Sequence, residues 1–342
     1  MKVGTLKLVG AVVFLALATG AFAGDPPQYE AQFLGYLDPS SPNAMTWAYS
    51  INNRGQVVGM SCDKPFIWEN GVMTELPVQM VPVDINDAGC IAGFSSGSTS
   101  FLPEPARGAQ ALLWDGATLT ELSPPIRTAW AGAYALNESG QVACRDTETF
   151  LWEDGDRTTI SSTGIPTQIN ESGQVLIGRY YGSVPWLWQD GAVTPLEGLH
   201  YGLGLNDLGW VSGFGFINGH PAVWIDGEVV DLGPVPYPGY AHTAAGYAVN
   251  NNGQVVGGSI ADPCAFWTDS FLWDNGTMYS LNELMDPLLI ACAVDINDKG
   301  QILCLDGAVG AYYVLNPVPE PGSLALLGSG LLGMAALARR GR

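Results

Sequence analysis

The chain has 342 residues, 47% of them hydrophobic, with 13 basic and 33 acidic side chains and a net charge of −20. Such an acidic chain repels phosphate backbones and anionic headgroups, which excludes nucleic-acid binding and leaves cations or basic partners as attracted species, or plain solubility as the purpose. With 44 glycines, 23 prolines and plentiful Trp, Tyr and Val, the composition predicts an all-β chain rich in turns and large enough to bury a sizeable core.

In chain order, the first element is a secretory signal over residues 1–23. Met1, Lys2 and Lys7 form a basic start, residues 8–18 a short apolar core, and Ala21-Phe22-Ala23 a small-residue cleavage site before Gly24. The apolar core is too short to span a membrane. Between residues 24 and 318 only 8 basic residues face 32 acidic ones, so the exported body carries −24.

That body, residues 24–316, is an internal repeat. Its clearest copy runs from Ala48 through Asn52-Asn53-Arg54-Gly55 to Gly59. The anchoring asparagines are Asn52, Asn86, Asn137, Asn170, Asn206, Asn250 and Asn297, and each is followed three residues later by Gly (Gly55, Gly89, Gly140, Gly173, Gly209, Gly253, Gly300). This reads as strand, tight turn, strand: the Asn side chain caps its own turn and the Gly takes the left-handed position. The second half of each copy sets an aromatic strand before Asp-Gly or Asn-Gly, at Trp68, Trp114, Trp152, Trp188, Trp224 and Trp273. Asx-Gly after such a strand is a strong hairpin signal. Two hairpins in roughly 40 residues make one four-stranded propeller blade.

Seven copies predict a seven-bladed β-propeller. The seventh copy stops after a third strand at residues 311–315 and carries Tyr312 and Tyr313 instead of the Trp. A spare strand at residues 32–37, with 33–37 as its pairing part, precedes the first copy, so it is expected to complete the last blade and leave no edge bare. The regular place of the Trp residues predicts packing between blades rather than a stacking surface for sugars.

The Asn-x-x-Gly and Trp-x-Asp-Gly patterns over residues 31–315 resemble the HAF family of extracellular repeats, with Cys144 standing where the third copy would have Gly. The resemblance implies an exported repeat protein and brings no activity or catalytic residue with it.

The hairpin turns fall on one face of the disc and are uniform. The loops on the other face vary, the longest being 94–110, and function on such scaffolds sits where loops vary. His200, His220 and His242 all fall on that face and are weak candidates for binding. Their spacing is not that of metal ligands, so no metal and no cofactor is expected. Asp84 and Asp295 stand two residues before the repeat Asn, beside the central channel, where a carboxylate pair could act as acid and base or hold a cation. The same position holds Ser50, Ala135, Gln168, Gly204 and Ala248 in the other copies, so a structural role is the expectation. No Gly-x-Ser-x-Gly elbow, nucleotide loop or repeated calcium loop is present.

All six cysteines (Cys62, Cys90, Cys144, Cys264, Cys292 and Cys304) lie in the exported part, where oxidation is permitted. Counting outward from the seventh turn sets Cys292 beside residue 304 or 305, so a Cys292–Cys304 disulfide is the candidate, with Cys264 the competing partner for Cys292. A one-residue bulge would decide that register.

The last element, residues 317–342, places Pro319-Glu320-Pro321 before an apolar run of 16 residues and closes on Arg339, Arg340 and Arg342. This order of parts resembles the PEP-CTERM sorting signal, also catalogued as the ice-binding protein C-terminal domain. The resemblance implies export in a Gram-negative bacterium and processing by an exosortase near the triplet. The run predicts a helix shorter than the roughly 20 residues of a comfortable span, with its arginines snorkelling to the cytoplasmic side. It suits a transient inner-membrane anchor, an ordinary single-pass anchor being the alternative. Localisation after processing is then the cell surface, the outer membrane or the secreted matrix. Two readings of the body remain: a non-catalytic scaffold presenting loops to a partner such as extracellular polysaccharide, or a propeller hydrolase or lectin-like binder acting on that polysaccharide.

Overall fold

The computed structural model describes residues 26–41, 44–97, 103–125, 130–178, 184–215, 219–236, 244–259, 270–285, 288 and 290–319. They form seven four-stranded antiparallel sheets, the blades of a propeller. The strands nearest the axis, blades 1 to 7, are Thr46–Ile51, Val81–Ile85, Gly132–Leu136, Pro166–Ile169, Leu199–Leu205, Ala244–Val249 and Ile290–Ile296. The repeat glycines have φ between +73° and +84°, the left-handed conformation their turns demand. In the second hairpins, Asn70, Asp154, Asp190, Asp226 and Asn275 also have positive φ, followed by Gly, as a tight two-residue turn requires.

The N-terminal strand closes the ring from a slightly earlier place than the sequence suggests. Tyr29–Phe33 pairs with Ala311–Pro317, with Tyr29 opposite Pro317 and Phe33 opposite Tyr313, and the Leu34 amide adds one more bond to the Tyr312 carbonyl. Residues 35–37, expected inside the strand, fall outside the ladder because Gly35 takes φ +84° and turns the chain toward blade 1. Blade 7 thus takes its outer strand from the other end of the chain.

There is no single core. Apolar side chains collect in clusters between adjacent blades, one for each interface of the ring. In blades 1 to 6 the third-strand Trp packs into the interface with the blade before it, as expected: Trp68 against blade 7, Trp114 against blade 1 and Trp188 against blade 3. Blade 7 has Leu315 at that position, opposite Ile302 as Trp68 is opposite Val57. Gly59 on the second strand leaves no room for a side chain, since a Cβ there would collide with the Trp47 carbonyl.

The disulfide expectation is corrected here. Cys292 pairs with Leu305, and Cys304 pairs with Ala293. Neighbouring positions along a strand face opposite ways. Cys292 therefore packs in the interface with blade 1 and Cys304, a free thiol, in the interface with blade 6. The register shift at Val294 sets this arrangement. Cys264 lies outside the described residues.

Among the described residues, no helix is long and apolar enough to cross a membrane. The expected signal segment and the expected terminal helix, with Glu320, Pro321, Arg339 and Arg340, lie outside them.

Candidate functional site

Every inner strand carries a bulge three residues before its repeat Asn. The register shifts at Tyr49, Val83, Tyr134, Thr167, Leu203, Tyr247 and Val294, one in each blade. A bulge locally breaks the in–out alternation and re-aims side chains. As a result the bulge residue borders the axial channel, and so does the next one in every blade but the third, where Ala135 packs against blade 4. The bulge residues, with Pro103 from the blade 2 loop, form a collar around a cavity of about 190 Å³. A second cavity, of about 170 Å³, lies toward the turn face. The two share Ser50, Asp84, Gln168, Ala248 and Asp295, which mark the waist of the channel.

At the waist the two carboxylates are tied to backbone. Asp84 Oδ1 accepts from the Ser50 hydroxyl at 2.8 Å and the Ile85 amide at 2.9 Å, while Oδ2 accepts from the Leu136 amide at 3.0 Å. Asp295 Oδ2 accepts from the Ile51 amide at 3.0 Å and Oδ1 from the Ile296 amide at 2.9 Å. Asp295 thus links blade 7 to blade 1, Ser50 links blade 1 to blade 2, and Asp84 links blade 2 to blade 3. Burial pushes Asp295 up to about 7, the amide bonds pulling against it and the Asp84 charge adding to it. Asp84 is raised too, again chiefly by burial. No Lys, Arg or His is among the described residues that line either cavity.

Below the waist, the repeat asparagines close a ring of their own. Each Nδ2 donates to the backbone carbonyl of the Asn in the next blade, from Asn52 to Asn86 and onward until Asn297 returns to Asn52, at 2.8–3.1 Å. In five blades the other Nδ2 hydrogen goes to the Gln four residues on. Their Oδ1 atoms accept amides of their own turns, as the sequence predicts.

The next residue builds the mouth on the turn face. Asn53, Asp87, Glu138, Glu171, Asp207, Asn251 and Asp298 each stand one place after the repeat Asn. Backbone amides donate to the side chain one blade on, from Asp87 to Glu138 and round to Asn53. The mouth carries five carboxylates. Burial raises Glu138, and its neighbours Asp87 and Glu171 raise it further. This layer was legible as an acidic or amide residue after every repeat Asn. Its role shows only when the ring closes.

The structure does not gather the histidines into one site. His200 belongs to the inner strand of blade 5 rather than a loop, stacked on Tyr201 at 4.9 Å. His220 stands in the following loop, its Nδ1 2.9 Å from the Asp231 carboxylate. His242 lies outside the described residues. Among the described residues no group of three or more His, Cys, Asp or Glu is arranged to hold a metal.

Residues 317–340 match the PEP-CTERM protein-sorting motif. That motif is a substrate signal for exosortase processing and implies export to the cell envelope or extracellular space. No curated protein matches the chain. Among solved structures the fold is similar to YCF48 bound to D1 peptide, at 16% identity and TM-score 0.53, covering 87% of this chain and 99% of that one. It is also similar to the extracellular domain of a one component system from B. thetaiotaomicron, at 10% identity and TM-score 0.51. There the match covers 84% of this chain and 40% of the other. Likeness at such identities concerns the fold alone.

Proposed function

We propose that the protein is a non-catalytic binding scaffold of the HAF-repeat type. It crosses the inner membrane, is held briefly by its C-terminal helix, and is released by an exosortase to the cell surface, outer membrane or secreted matrix. There its variable loop face binds extracellular polysaccharide. The observation that carries this reading is the use made of Asp84 and Asp295. These are the channel groups best suited to acid–base work, and their oxygens accept backbone amides of their own and neighbouring blades. A carboxylate held this way acts as a tie between blades, whereas a general acid or base must reach a reacting proton.

The competing reading is a propeller hydrolase, favoured by one observation: Asp295 is pushed up to about 7, in the range of a working acid at neutral pH. A glycan array probed with the processed protein, followed by incubation with each bound polysaccharide, separates the two. Retention without chain cleavage is the expected result. Cleavage that disappears in Asp295→Asn would establish the hydrolase.

A further inference from the structure

The two ends of the propeller meet at one place on the turn face. The Ala311–Pro317 strand sets Ala311 opposite Asp306 and Leu315 opposite Ile302, and Ile302 follows directly on the repeat turn of blade 7. The chain therefore leaves its last strand on the turn face, and three contacts hold it there. Asn316 Oδ1 accepts from Gln301 Nε2 at 2.7 Å, Pro317 lies opposite Tyr29, and the Val318 amide donates to the Gln28 carbonyl at 2.8 Å. Lys299 stands on the adjoining turn, exposed and in no ion pair among the described residues. Its neighbour Gly300 abuts the exit, since a Cβ there would lie 3.8 Å from Pro317 Cγ.

The sorting motif begins at residue 317, so its first two residues are already fixed in the ring. From Val318 to Ser323, where the apolar run starts, the chain reaches at most about 18 Å. The headgroup layer takes about 5–8 Å of that. What remains is shorter than the Ala311–Pro317 strand, which spans about 20 Å between the two faces.

With the C-terminal run held in the membrane, as the proposed function has it, we propose that the turn end of blade 7 is the surface that meets the lipid headgroups. The loop face then points away from the membrane and is free to bind before release. To lay the loop face on the bilayer, the tether would have to run back along the whole strand and still cross the headgroups. Lys299 is placed to meet an anionic headgroup, and its charge is felt over about 10 Å at 0.1 M salt. The five carboxylates of the mouth ring the axis, and an anionic surface repels them, which tilts the disc onto its blade 7 side. The chain also enters here, with Tyr29 opposite Pro317, so a signal segment ending at residue 23 tethers the same face during export.

The test uses the full chain reconstituted into vesicles of phosphatidylethanolamine and phosphatidylglycerol that carry a nitroxide quencher on the headgroup. Cys62, Cys90 and Cys264 are replaced by Ser, and one fluorescent probe is attached at either Glu30→Cys or Val309→Cys. Glu30 is exposed beside the exit, opposite Asn316. Val309, 65% exposed, lies in the loop between Asp306 and Ala311, at the other end of the same blade. Loss of emission at Glu30→Cys, with emission kept at Val309→Cys, is the expected result. A Gly-Ser linker of about 24 residues after Val318, with an r.m.s. span of about 27 Å, should remove that difference. An equal or larger loss at Val309→Cys would overturn the proposal, and so would a difference that survives the linker. Protein that does not partition into the vesicles would overturn the membrane-held reading itself, and the orientation with it.

Discussion

At the scale of single residues, the charges of this molecule do two opposite things to stability. Asp295 is held near 7 in the folded state against an ordinary 3.8. The folded protein therefore keeps a proton that the unfolded chain has lost. Its contribution is complete below about pH 3.8 and is lost as pH rises through about 7. The Tm should fall between pH 4.5 and 8, and Asp295→Asn should flatten that slope. Asp146 goes the other way. Burial would raise it, yet the hydrogen bonds of Arg157, at 2.6 and 3.0 Å, and the Glu148 amide hold it below its usual range. Its contribution is present above the ordinary carboxylate pKa and lost as pH falls through the lowered one. Arg157 also lies over the Phe150 ring, 3.7 Å from its centre. Arg157→Ala strands a buried carboxylate. It should cost about 2–3 kcal/mol in urea unfolding at pH 7, less than a fully buried pair because the guanidinium is partly exposed.

At the scale of the repeated element, the Asn turn is the unit that counts. One side chain caps its own turn through Oδ1 and reaches the next blade through Nδ2. Asn250 is 3% exposed and makes all of these bonds, to Asn252, Gln254 and the Asn297 carbonyl. Asn250→Ala leaves the Asn252 and Gln254 amides without their acceptor and removes one of the two bonds to the Asn297 carbonyl, which should cost about 2–4 kcal/mol by denaturant titration. Asn250→Asp keeps the acceptors and loses only the donors. A smaller loss, recovered as pH is lowered, would separate the inter-blade bond from the turn cap. The repeat itself was plain in the sequence because turns and caps are local. The bond between blades was not, since its partner lies 33–51 residues away along the chain in six cases and 245 away where the ring closes.

At the scale of the whole molecule, stability depends on closure. Each blade contributes one wall to two interfaces, so an open ring would expose apolar walls as well as a strand edge. Removing residues 26–34 leaves Ala311–Pro317 unpaired on one side. The truncated protein should lose Tm and form higher oligomers in size-exclusion chromatography, while a monomer of unchanged Tm would show that closure does not depend on this strand.

The sequence by itself determined the number of blades, their hairpins, the inward Trp positions, and the need for a closing strand from the N-terminal side. It also displayed the sorting motif at residues 317–340. All of these rest on local chemistry: turn residues, alternation, and the order of charged and apolar segments. The bulges were invisible, because one extra residue in a short strand changes no pattern that periodicity can detect. Yet they shift the faces of the inner strands, and this put Cys292 and Cys304 into different interfaces. It also set Asp84, Asp295, Ser50 and Tyr49 around one axis. Register is a property of paired strands, and a channel is a property of a closed ring; only the tertiary structure contains either.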